Sequence, residues 1–104
     1  MNVTRRLKII YDFLKLYLET VIHGCKVHSA VFHGSRVSGG AKPDSDLDVA
    51  VYVDKIPSLF EKQNLRVMYK NKLVLDVSFY DYDMSSESWA KDGIKIDESI
   101  VRGE

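Results

Sequence analysis

Cysteine is nearly absent from this chain: Cys25 stands alone, so no internal disulfide forms, and one thiol with no Cys or His at ligand spacing makes no zinc site. A reducing cytoplasm fits that usage best. Net charge is lacking as well, because fifteen basic and fifteen acidic residues cancel. No global field draws in nucleic acid or an anionic membrane as a strongly basic domain would, and a nucleic-acid partner is not favoured. Long apolar runs are missing too. The segment after Arg5 and Arg6 is interrupted by Lys8, Asp12, Lys15 and Glu19, so it offers neither a signal-peptide core nor the ~20 apolar residues of a membrane helix. Repeats, low-complexity stretches and linkers are likewise absent.

What remains is a chain of 104 residues, the size of one domain spanning positions 1–104. Its 45% hydrophobic and 29% charged residues describe a soluble globular protein with a modest core. Leu7, Ile10, Tyr11, Leu14, Leu18, Val21 and Ile22 recur at three- and four-residue steps, which predicts an amphipathic helix over Leu7 to Ile22 with Gly24 as its C-cap. Val27 to His33 is β-branched and aromatic and predicts a strand that stops at Gly34. A glycine-rich loop follows, and Leu47 to Val53, apolar except for Asp48, predicts a second strand covered on both faces. Pro57 suits the first turn of another helix, which is expected to run to about Lys70 with Leu59, Phe60, Leu65, Val67 and Met68 as its apolar members. Lys72 to Tyr80 predicts a third strand around Asp76. Trp89, Ile94, Ile96, Ile100 and Val101 fit a terminal helix or a terminal strand equally well.

The chemistry concentrates on three carboxylates. Asp46 and Asp48 are two apart at the head of a predicted strand, where such residues share a face, so they are able to converge on one cation. Magnesium takes hard oxygen ligands and is usually held by one or two carboxylates plus substrate phosphates. Asp76 lies between Leu75 and Val77, where an ionised group is costly unless it is paired or metal-bound. Against this stands a local reading, since Asp, Ser, Gly and Pro dominate turns for backbone reasons. It suffices for Asp44. It is poor for Asp48, which precedes the apolar run Val49 to Val53, and Asp76 in a neighbouring strand brings the two readings of the pair into balance. Gly34 and Ser35 leave a strand directly and are able to present backbone N–H groups and a hydroxyl to phosphate oxygens, with Arg36 adding a charged fork. The loop is neither a Walker loop nor a dinucleotide fingerprint. His23, His28 and His33 have no ligand partners at metal spacing and read as ordinary surface or strand residues.

The string Gly34-Ser35, ten residues, then Asp46-Leu47-Asp48 resembles the G-S-x10-D-x-D signature of the minimal nucleotidyltransferases in the DNA polymerase beta superfamily. Gly39 and Ala41 fall where that family's G-S-R-A-x-G-x-A pattern has glycine and alanine, Ser45-Asp46-Leu47-Asp48 matches its S-D-x-D, and Val37 replaces the usual alanine. The likeness spans about Val27 to Tyr80. It implies an α/β (α+β) fold, a small mixed sheet with flanking helices, in the order helix, strand, loop, strand, helix, strand. It also implies that Asp46, Asp48 and Asp76 hold two magnesium ions, that Asp76 helps to activate the acceptor, and that Gly34, Ser35 and Arg36 bind the triphosphate of ATP. Stand-alone domains of this size in the family are often antitoxins that add AMP to a tyrosine of an all-helical HEPN-type toxin. Two other expectations stay open beside that one: silencing of the partner by binding alone, and nucleotidylation of a small molecule such as an aminoglycoside.

Overall fold

The computed structural model describes residues 3–34, 46–84 and 93–99. Helix α1, Val3–Val21, buries Leu7, Tyr11, Leu14 and Leu18, the stripe expected of a helix lying on a sheet. Its end is set by Gly24 at a φ of 78°, with the amide of Cys25 donating to the carbonyl of Ile22 at 3.1 Å. One charged residue joins the buried face: Lys8 pairs with Asp12 at 3.0 Å, donates to the Asp97 carbonyl at 3.3 Å and lies over the Tyr11 ring. No helix among the described residues is long and apolar enough to cross a membrane.

Among the described residues five strands form one mixed sheet: β1 Val27–His33, β2 Leu47–Val53, β3 Leu65–Tyr69, β4 Leu73–Asp81 and β5 Ile94–Asp97, in the spatial order β3-β4-β2-β1-β5. β2 and β4 run parallel, and every other neighbouring pair is antiparallel. Side chains alternate across the sheet. Leu47, Val49, Val51 and Val53 of β2 join Leu75, Val77 and Phe79 of β4 in the core beneath α1. On the opposite face Val31, Ala50 and Tyr52 are fully buried and pack with Tyr80. Both faces of β2 are therefore covered, as its apolar run requires.

The predicted strands over Val27 to His33 and Leu47 to Val53 are present with those bounds, and Lys72 to Tyr80 corresponds to β4 shifted by one residue. The helix expected from Pro57 to Lys70 is not there. A single 3-10 turn, Ser58–Phe60, is followed by strand β3. Tertiary pairing explains the difference. Val67 is buried, Leu65 and Tyr69 are partly buried against the core, and Arg66 and Met68 are exposed, which is the period of a strand. The chain then reverses through Lys70 and Asn71, both at positive φ (53° and 58°), so that β3 lies antiparallel on β4. Phe60, read as part of a helix face, instead stacks on Phe79 with ring centroids 5.1 Å apart. The terminal segment resolves in favour of a strand: β5 pairs antiparallel with β1 and buries Ile96. Trp89, Ile100 and Val101 lie outside the described residues.

Candidate active site

The sheet register brings together carboxylates that lie far apart in sequence. Asp48, second in β2, is the direct partner of Asp76 across the parallel β2–β4 pair. Directly paired residues project from the same face, and by alternation that is the face of Ala50 and Tyr52, away from α1. On the other side of β2, His33 is the register partner of Asp48; beyond β4, Arg66 is the partner of Asp76. One row across the sheet thus reads Arg66, Asp76, Asp48, His33.

Asp46 belongs to the same face, because the Arg66 guanidinium, projecting from that row, lies 3.6 Å from its Oδ2. Arg66 is 71% exposed, so the pair is a loose one. Asp76 is held more definitely: the side-chain amide of Asn64 donates to its Oδ1 at 2.9 Å.

Gly34 follows the last residue of β1 at a φ of 88°, a backbone conformation natural to glycine. A Cβ at this position would lie 2.1 Å from Oδ2 of Asp48. The chain leaves β1 pressed against the Asp48 carboxylate, and only a residue without a side chain permits it. This cradle, together with three oxygen-donor side chains on one face, fits a hard divalent cation better than a soft one. Among the described residues no three His, Cys, Asp or Glu side chains converge closely enough to hold an ion by themselves. Magnesium is usually held by one or two carboxylates plus substrate phosphates, so a set this small does not exclude that ion.

Asp46, Asp48, Asp76 and Gly34, expected at the site from the sequence, are assembled at one end of the sheet. Ser35 and Arg36, together with Gly39, Ala41, Asp44 and Ser45, lie outside the described residues. Asn64 and Arg66 were not singled out by sequence reasoning. Both sit in the segment that reads as a helix, and only the register of β3 reveals them. His28 lies away from the site, near the start of β1 beside the last residues of β2, where it contacts Asp54 and stacks on Tyr82 with ring centroids 4.6 Å apart.

No curated protein matches the chain. The family model described as polymerase beta, nucleotidyltransferase, matches residues 15–102, which takes in all five strands and every site residue named above. That coverage, and a mixed sheet that pairs Asp48 with Asp76 beside the Gly34 turn, lead to one conclusion: the chain belongs to the polymerase beta nucleotidyltransferase family.

Proposed function

We propose that this protein transfers AMP from ATP, with magnesium, to a hydroxyl of a protein acceptor, a tyrosine of a HEPN-type helical toxin, and so acts as an antitoxin. The observation that carries the transfer reading is the direct pairing of Asp48 with Asp76, with Gly34 pressed against the first of them. Magnesium, held by Asp46, Asp48 and Asp76, would supply Lewis-acid stabilisation of charge on the reacting phosphate oxygens. The chain's own groups do the rest. Gly34, with Ser35 and Arg36 after it, binds the triphosphate through backbone N–H groups and positive charge. Asp76 takes the acceptor's proton as the acceptor oxygen bonds to the α-phosphorus. The bond from that phosphorus to the bridging oxygen breaks, and pyrophosphate leaves.

A protein acceptor is supported by the outward side of α1. Leu16 is 70% exposed and Val21 56%, and with Phe13 and Tyr17 they border an open apolar groove, a surface that a macromolecule would cover. The same surface also supports the second reading, in which the domain silences its partner by occupancy.

The test is transfer of α-labelled AMP to the helical partner, with wild type and Asp48→Asn compared at equal fold stability. Wild type is expected to label the partner and to release pyrophosphate in equal amount. Asp48→Asn should lose at least about 10²-fold in rate, because the carboxylate's charge is a metal ligand and contributes little to the core. Equal labelling by the two proteins would remove Asp48 from the site.

A further inference from the structure

Asn64 is the residue immediately before β3, and by alternation it shares the face of Arg66, the register partner of Asp76. Its amide nitrogen reaches Oδ1 of Asp76 at 2.9 Å, a well-formed hydrogen bond between side chains twelve positions apart. β3 is an edge strand, joined to the described sheet through β4 alone. We propose that Asn64 is a positioning residue for nucleotidyl transfer: its amide holds one oxygen of Asp76, fixes the rotation of that carboxylate and leaves Oδ2 for the reaction. This inference rests on the transfer reading of the three carboxylates.

The residue type matters. A carboxylate that is only partly buried, as Asp76 is, rotates freely about its terminal torsion unless something holds it. A cationic partner would hold it but would also neutralise it and compete with any metal or proton it has to receive. A neutral amide holds it and leaves its charge intact. Among the described residues the cation beside Asp76 in the register, Arg66, contacts Asp46 instead and does so loosely, at 3.6 Å. Among the described residues Asp76 is thus the one of the three carboxylates with a neutral tether, which suits a group that has to keep both its charge and its orientation.

The experiment compares wild type with Asn64→Ala, Asn64→Leu and Asn64→Gln. Leucine fills nearly the same space without a donor, and glutamine keeps the donor on a stem one methylene longer. Three quantities are read: kcat and KM for AMP transfer, affinity for Mn2+ in the presence of a saturating non-hydrolysable ATP analogue by paramagnetic resonance, and Tm. Loss of a group that orients a ligand typically costs about 10–100-fold in metal affinity or activity. Asn64→Ala and Asn64→Leu should therefore lose about 10-fold or more in kcat with KM for ATP nearly unchanged, bind Mn2+ more weakly and keep the wild-type Tm. Asn64→Gln should recover part of the kcat.

Recovery by leucine would show that Asn64 merely fills space, and wild-type kcat with wild-type Mn2+ affinity in Asn64→Ala would overturn the proposal. A fall in Tm that accounts for the lost rate would do the same. Failure of the underlying reading looks different. There, wild type itself neither binds Mn2+ nor transfers AMP.

Discussion

Gly34 and Gly24 share a positive φ, 88° and 78°, yet their surroundings separate the cost of backbone conformation from the cost of lost space. A Cβ at Gly24 meets nothing within 4 Å, whereas one at Gly34 meets Oδ2 of Asp48 at 2.1 Å and its Cγ at 3.0 Å. Gly24→Ala should cost only about 1 kcal/mol, the penalty of a left-handed alanine, and leave activity alone. Gly34→Ala carries the same penalty and must also turn the Asp48 carboxylate aside. A misplacement of about 1 Å at a reacting group is able to cost about 10²-fold in rate, so transfer by Gly34→Ala should fall by that order, with a Tm drop at least as large as for Gly24→Ala. Chemical denaturation of both variants, set beside their transfer rates, checks the separation. Equal activity losses in the two would mean that the Gly34 turn is not part of the site. The importance of Gly34 was legible in the sequence as a glycine closing a strand. Its contact with Asp48 was not, because that depends on the antiparallel register that sets His33 opposite Asp48.

Elements were legible where their own residues determine them, and obscure where a neighbour does. α1, β1 and β2 announce themselves by their apolar patterns, and α1 and β1 also by the glycines that follow them. β3 does not: five residues long, with Arg66 and Met68 on its exposed side, it is a strand only because β4 is there to pair with it, and its turn uses Lys70 and Asn71 in place of glycine. Reading that segment as a helix hides Asn64 and Arg66, two polar residues that reach the carboxylates. A comparable unseen link joins α1 to β1. The Glu19 carboxylate accepts from the Val27 amide at 2.7 Å and from Lys15 Nζ at 2.8 Å, and Lys15 Nζ also donates to the Val27 carbonyl at 2.9 Å. Burial pushes the Glu19 carboxyl up, but its bonds to Lys15 and Val27 outweigh that and hold it below the usual value. A lowered folded-state pKa means that the native form stays ionised where the unfolded chain takes a proton. Its contribution to stability is then complete above the ordinary glutamate value of ~4.3 and is lost as pH falls through the lower folded value. Asp97, held low by the hydroxyl and the amide of Ser99, acts in the same direction. Wild type should therefore exceed Glu19→Gln in Tm at neutral pH, and the gap should narrow steadily below about pH 4.5. A gap independent of pH would show that the charge on Glu19 contributes nothing beyond its hydrogen bonds.

At the scale of the whole molecule, the proposed function assigns transfer and partner binding to opposite sides of the sheet and its helix. The carboxylates lie on the face away from α1, while the apolar groove of Phe13, Leu16, Tyr17 and Val21 runs along the outside of that helix. A substitution at the first face should leave the second intact, which allows enzyme and binding module to be told apart by stoichiometry. A covalent AMP persists on the partner after the protein that placed it has gone, whereas inhibition by occupancy lasts only as long as the complex and follows its dissociation constant. Wild type with ATP and magnesium should therefore silence the toxin at small fractions of its concentration, and the toxin should stay silent once the antitoxin is stripped away. Asp48→Asn keeps the α1 face but loses a metal-holding carboxylate. It should fail at those low ratios and protect, if at all, only near equimolar amounts. The measurement is residual toxin activity against antitoxin ratio, with the toxin's mass recorded at each point. If Asp48→Asn protects as well as wild type at every ratio and the partner gains no mass, silencing is by occupancy and the proposed transfer to the partner is wrong.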